Sequence, residues 1–220
     1  MRIPLPLSAC RLALAGAFWL LAFACPAQHL WPGYAVLLNG DSVRGAVRVN
    51  SAQQEQSRVR FVPLAGAARL LLRPEAVRAY GYVTNSDTVR YVACSFPIGT
   101  VPSYTRLVNG QRQVVHEMAT LVRRLFLREL VAGPVRLYEC NVLNEGRGTS
   151  MSRRELLLAR RGQPLVNTYW WNFSKNAAAY FGDDTALAAD LQHGRYHSRD
   201  LLQVVHRYNQ AQLAAPVPAR

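Results

Sequence analysis

Residues 34–50 read YAVLLNGDSVRGAVRVN, and this stretch decides the fold class. Asn39-Gly40-Asp41 separates two apolar-rich segments, and an Asn-Gly pair supplies the positive backbone dihedrals that a tight hairpin turn requires. In the second arm Val43, Gly45, Val47 and Val49 fall on one side of the pleat, with Arg44, Ala46 and Arg48 on the other. One side suits a core and the other water, which is the signature of an antiparallel sheet with one wet face.

The same alternation continues along the chain. Residues 58–62 repeat it, and 68–72 read as a strand stopped by Arg73-Pro74. Segments 77–83 and 88–94 flank Thr84-Asn85-Ser86-Asp87, which predicts a second hairpin. From 95 to 110 prolines and glycines break any period, so a long loop with room for one short strand is expected. Residues 114–131 fit both helical and strand spacing; the turn Ala132-Gly133-Pro134 tips 125–131 toward a strand paired with 135–142. A further hairpin is predicted between 155–159 and 165–170, through Arg161-Gly162-Gln163-Pro164.

At Asn172 the apolar period shifts from two toward 3.6. Asn172 can cap a helix with Phe173, Ala177, Tyr180 and Phe181 on one side, ending at Gly182. Asp183 or Asp184 opens a second helix carrying Leu187 and Leu191, with Gly194 past its end. Ser198 opens a third, with Leu201, Leu202, Val205 and Tyr208 as its apolar stripe. Such short helices need a surface to pack on. The expected class is α+β: a mainly antiparallel, curled or barrel-like sheet followed by a C-terminal cluster of three short helices.

The chain has 220 residues, 50% hydrophobic and 18% charged, which excludes a disordered, collagen-like or small disulfide-stapled protein. Arg2 and Arg11 precede an apolar run at 12–24, and Cys25-Pro26-Ala27-Gln28 follows. A positive stretch, an apolar run too short to span a bilayer and small residues at its exit predict a secretory signal peptide over 1–27. Residues 28–213 are then expected to form one domain and 214–220 a Pro/Ala tail. The expected location is the periplasm or the exterior. The less favoured alternative is an outer-membrane lipoprotein acylated at Cys25; its position three before the cysteine is Ala22 rather than leucine. No later segment is apolar enough for a transmembrane span. After processing Cys94 and Cys140 remain, either as a disulfide worth roughly 4 kcal/mol or as two small buried side chains.

Gly40-Asp41-Ser42-Val43-Arg44-Gly45, Gly133-Pro134-Val135-Arg136-Leu137-Tyr138, Tyr180-Phe181-Gly182-Asp183 and Asp200-Leu201-Leu202 leading to Tyr208-Asn209 together resemble uncharacterised exported proteins common in Bacteroidota. The resemblance covers most of the chain after residue 27 and implies a secreted or envelope protein. It brings no catalytic residues. The arginine-for-lysine bias departs from the lysine-rich members of that group.

No motif fixes an activity. Asp183, Asp184, Asp190, His193 and His197 form the sharpest enzyme-like cluster, the least bad centre for the alternative of a hydrolase acting on an envelope polymer, but Gly194 breaks the helix that would align the two histidines on a metal. His116-Glu117 and Ser95, Ser103, Ser150 and Ser152 stand in no nucleophile signature, and Gly99, Gly110, Gly146 and Gly148 form no phosphate loop. No catalytic residue, metal ligand or cofactor is therefore assigned. Tyr169-Trp170-Trp171 with Phe173 reads as the seam between sheet and helices, with an exposed sugar platform as the alternative.

Charge carries more functional information. There are 26 bases against 13 acids, and Lys175 is the only lysine. Arg44, Arg48, Arg58, Arg60, Arg78 and Arg90 occupy positions that could share one sheet face, with Tyr80 and Tyr82 in register with Arg78. Guanidinium forks suit phosphates and carboxylates, so the expected role is a non-enzymatic envelope protein binding or scaffolding through this face. The expected partner is an anionic glycan, lipopolysaccharide or an acidic protein. Nucleic acid is not expected, because the chain reads as exported and carries no nucleic-acid module.

Overall fold

A computed structural model describes residues 30–214, except 50, 65, 67, 86, 102–103, 109–110, 116–118 and 147–148. The expected signal peptide, residues 215–220 of the tail, His116-Glu117 and Ser103 lie outside the described residues. The fold is α+β. Ten strands form one antiparallel sheet in the order β12-β11-β10-β9-β6-β5-β1-β2-β3-β4, and β7 pairs with β8 as a separate two-stranded ribbon. The large sheet runs from an edge at β12 to an edge at β4 and is not closed.

The decisive hairpin is β1 (Leu30–Leu37) against β2 (Ser42–Arg48), with Ala35 opposite Val43 and Tyr34 opposite Arg44. Gly40 closes the turn with φ +99°. Helix α1 (Ala52–Ser57) follows, then β3 (Val59–Pro63), the three-residue β4 (Leu70–Leu72), β5 (Val77–Val83) and β6 (Thr88–Val101). Strands β6 and β9 (Ala119–Val131) are far longer than expected, and in the chain between them β7 (Tyr104–Val108) pairs with β8 (Gln111–Val115). Most of the loop expected over 95–110 is therefore strand. A register shift between Pro97 and Gly99 lets the ladder pass those two residues. Strand β10 (Val135–Gly146) returns to β11 (Thr149–Arg160), but β12 is only Val166–Asn167 and not the full partner expected over 165–170.

The C-terminal part contains α2 (Phe173–Tyr180), α3 (Thr185–Gln192), a 3₁₀ turn (Ser198–Asp200) and α4 (Leu201–Ala214). Asp184 caps α3, accepting from the Leu187 N–H at 3.0 Å. Ala177, Phe181, Leu187, Leu191, Leu201, Val204, Val205 and Tyr208 close over Val131, Val135, Leu137 and Leu158 of the sheet. The α4 stripe departs from expectation at one position: Leu202 is exposed and Val204 is buried.

A second core lies on β1–β6 and β9, formed by Ala35, Val47, Val59, Phe61, Leu72, Val77, Tyr80, Tyr82, Val89, Tyr91 and Phe126. A third, of Phe96, Leu127, Tyr138, Cys140 and Leu157, spans β6 and β9–β11. Cys94 and Cys140 are both free thiols, the first half-buried and the second buried. Strand β9 stands between theirs, so pairing would have to span about 10 Å of sheet where a disulfide tolerates Cα atoms no more than about 7 Å apart. No helix among the described residues is long and apolar enough to cross a membrane.

Candidate functional site

Helix α1, AQQEQS, has no apolar side, and its polar Glu55 and Gln56 are buried. The Glu55 carboxylate accepts from the Tyr91 hydroxyl at 2.6 Å and from Tyr82 at 3.5 Å, and its backbone carbonyl accepts from Tyr80 at 3.0 Å. Tyr80 stacks on Tyr91 at 4.8 Å and meets Phe126 edge-on. Burial, then the nearby Glu55 carboxylate, pushes the Tyr82 hydroxyl up to about 12, and burial raises Tyr80 and Tyr91 further. All three therefore remain neutral donors. The Gln56 amide, oriented so that its nitrogen donates and its oxygen accepts, meets the Asn141 carbonyl at 2.8 Å and N–H at 2.5 Å, satisfying β10 backbone where no β9 register partner is present.

Held in this way, α1 turns Gln54 and Arg58 outward beside the ends of β2 and β3. There Arg48, Arg58, Arg60 and Arg69 line a groove of about 580 Å³ with Gln54, Leu70 and Leu71. A neighbouring hollow shares Gln54 and Arg58 and adds Arg73. Arg48 stands directly opposite Arg60, and Arg60 opposite Leu71. Among the described residues Arg58, Arg60, Arg69 and Arg73 have no carboxylate within ion-pair distance. No Asp or Glu occurs from residue 58 to residue 73.

The six arginines singled out above divide into groups. Arg44, Arg48 and Arg60 share the face opposite the second core, and Arg58 joins them at the groove. Arg90 shares that face through the row Arg44, Tyr34, Gly81, Arg90, Glu129, but it is neutralised by Glu129 at 3.3 Å. Arg136 approaches the same carboxylate at 3.9 Å. Arg78 is the extra residue of a bulge: Val36 pairs with Ala79 and Leu37 with Val77, which leaves Arg78 without a ladder partner and exposed, whereas Tyr80 and Tyr82 are buried in the second core. Sequence reasoning missed Arg69 and Arg73; the acid-free run around them was the available signal.

The acid and histidine cluster of the C-terminal helices is taken up by internal contacts. Asp183 binds Arg160 and accepts from Tyr208 at 2.6 Å. Despite opposition from partial burial, these bonds hold its carboxyl below the ordinary carboxylate value. Asp190 binds Arg207 at 2.7 Å and Arg195 at 2.6 Å, which lowers it likewise, Arg207 contributing most. His193 Nδ1 contacts the Ala189 carbonyl at 2.6 Å, and the His197 N–H donates to Asp200. No group of three or more metal-ligating side chains is gathered among the described residues.

The aromatic run also divides. Trp171 and Phe173 pack against the helical core, as a seam would. Tyr169 and Trp170 are exposed, edge-on to one another at 4.7 Å. The Arg153 guanidinium lies 3.7 Å over the Tyr169 ring, oriented by buried Glu155, which also accepts from Asn167 at 2.6 Å.

No family model, curated protein or solved structure matches the chain.

Proposed function

We propose that the protein is exported and acts by binding rather than by chemistry, holding an anionic component of the cell envelope in the arginine-lined groove and on the adjoining sheet face. Export is supported by the basic and apolar character of residues 1–27 and by the resemblance to exported Bacteroidota proteins. In this reading residues 28–213 form one domain in the periplasm or outside the cell, its sheet curled around the tyrosine core and capped by the three C-terminal helices. The partner is a phosphate- or carboxylate-bearing glycan, lipopolysaccharide, or an acidic protein.

One observation carries the binding role: Arg58, Arg60 and Arg69 gather in one groove where, among the described residues, no carboxylate lies within ion-pair distance of them. Their guanidinium forks suit a phosphate or a carboxylate.

The test is retention of the processed protein on a sulfonated matrix across a salt gradient. The variant Arg44→Gln/Arg48→Gln/Arg58→Gln/Arg60→Gln should fold and elute at far lower salt. Elution at the parental salt would remove this reading. Intact mass after fractionation of the native host tests the export part, since a cytoplasmic product retaining residues 1–27 would contradict it.

A further inference from the structure

The edge of the sheet beside the groove is unusual in a second respect. Strand β4 is the outermost strand, and the connection leading into it is apolar. Leu64 is 76% exposed, Leu70 45% and Leu71 44%. A single exposed leucine needs no explanation. Three fall within eight residues: Leu70 and Leu71 line the groove with Arg58, Arg60 and Arg69, and Leu64 lies past the other end of β3, its N–H bonded to the Arg44 carbonyl at 3.1 Å, so cations flank an apolar strand end.

A soluble anionic polymer would satisfy the arginines and leave the leucines in water. An acidic protein face would meet the leucines with charge. A layer of lipid phosphates above acyl chains satisfies both, because guanidinium groups bind the phosphates while apolar side chains enter the headgroup boundary by roughly 5–10 Å. On the anion-binding reading of the groove, we propose that the β3–β4 edge docks the protein on an anionic lipid surface. Leu64, Leu70 and Leu71 enter the acyl boundary, and Arg58, Arg60 and Arg69 engage the phosphates. The groove between Arg60 and Leu71 is where headgroup and chain meet the protein together.

The experiment uses protein recovered from an exporting host, with Cys25→Ser so that no acyl chain is attached there. Co-sedimentation is measured with phosphatidylcholine vesicles, with and without phosphatidylglycerol, alongside retention on dextran sulfate. The parent should bind the anionic vesicles and not the neutral ones. Leu64→Gln/Leu71→Gln should weaken vesicle binding by about tenfold per leucine and leave dextran sulfate retention unchanged. Arg58→Gln/Arg60→Gln should lose both.

Vesicle binding that survives the leucine changes, with the arginine dependence intact, overturns the lipid proposal and leaves the groove as a site for soluble anions. Retention indifferent to the arginine changes overturns the groove itself. A leucine variant that turns a dimer into a monomer with parental vesicle binding identifies the edge as a self-association surface and likewise defeats the lipid proposal. The replaced side chains are exposed, so unchanged circular dichroism and thermal midpoint confirm that each variant is folded.

Discussion

The Asn209 carboxamide of α4 lies directly over the α-carbon of Gly133: a methyl group added there would come within 2.5 Å of its nitrogen. Asn209 Oδ1 accepts from the Val135 N–H at 2.9 Å, and its Nδ2 donates to the Val135 carbonyl at 2.7 Å. One side chain thus fastens the last helix to the β9–β10 turn. Gly133 also has φ +145°, which L-residues rarely adopt, so its missing side chain serves both the turn and the dock. Asn209→Ala would leave two buried backbone groups unpaired and should lower stability by about 2–3 kcal/mol, read as a lower urea midpoint. Gly133→Ala should cost at least as much, because the clash adds to the backbone strain. A parental midpoint for Asn209→Ala would mean that α4 is held by its apolar side alone.

Tyr91 and Glu55 make the corresponding prediction for α1. Removing the hydroxyl in Tyr91→Phe takes the 2.6 Å donor from a buried carboxylate and should cost about 1–3 kcal/mol. Because α1 carries Gln54 and Arg58 into the groove, the variant should also elute from an anionic matrix at lower salt than the parent. Chemical denaturation and the salt gradient read the two effects separately.

Stability should fall on the alkaline side, and the sign follows from which state holds the protons. Burial pushes the Cys94 thiol up to about 11, the Cys140 thiol up to about 12 and the Tyr82 hydroxyl up to about 12. Below the ordinary thiol value of 9.0 both states are protonated and the stabilisation is complete. Above it the unfolded chain loses protons that the folded chain keeps, so stability declines through the interval up to the raised values. Cys94→Ala/Cys140→Ala should flatten the first part of that decline in urea titrations between about pH 9 and 11. At acid pH the order reverses. Asp183 and Asp190 are held below the ordinary carboxylate value of 3.8, so their contribution is present above it and is lost as pH falls through their lowered values.

What the sequence discloses follows from periodicity. The β1–β2 hairpin is legible because Val43 and Val47 alternate with Arg44 and Arg48, and the same alternation assigns Arg44, Arg48 and Arg60 to one face. Helix α1 is not legible, since AQQEQS has no apolar stripe; it is held by hydrogen bonds to tyrosines from strands 25 to 36 residues further on. The readable hint was Tyr80, Tyr82 and Tyr91 at core positions, where buried hydroxyls need partners. The neutralisation of Arg90 by Glu129 depends on the β6–β9 pairing, which no local pattern announces across Pro97 and Gly99. The bulge at Arg78 is likewise not legible, because one extra residue leaves no mark in a period-two pattern.

Trp170 and Trp171, adjacent in sequence, should respond oppositely to the same change. Trp170 is 79% exposed and meets the exposed ring of Tyr169 edge-on, whereas Trp171 packs 5.8 Å from Tyr180 on the helical core. Trp170→Ala removes little buried area and should shift stability by no more than about 0.5 kcal/mol. Trp171→Ala opens the seam between sheet and α2 and should cost about 2 kcal/mol or more. Fluorescence gives an independent check: Trp170→Ala should remove the red-shifted, acrylamide-quenchable part of the native emission, and Trp171→Ala should spare it. Equal destabilisation by the two replacements would mean that the Tyr169-Trp170 pair is covered in the folded protein, and that the Arg153 guanidinium stacked on Tyr169 belongs to a packed layer and not to an open aromatic surface.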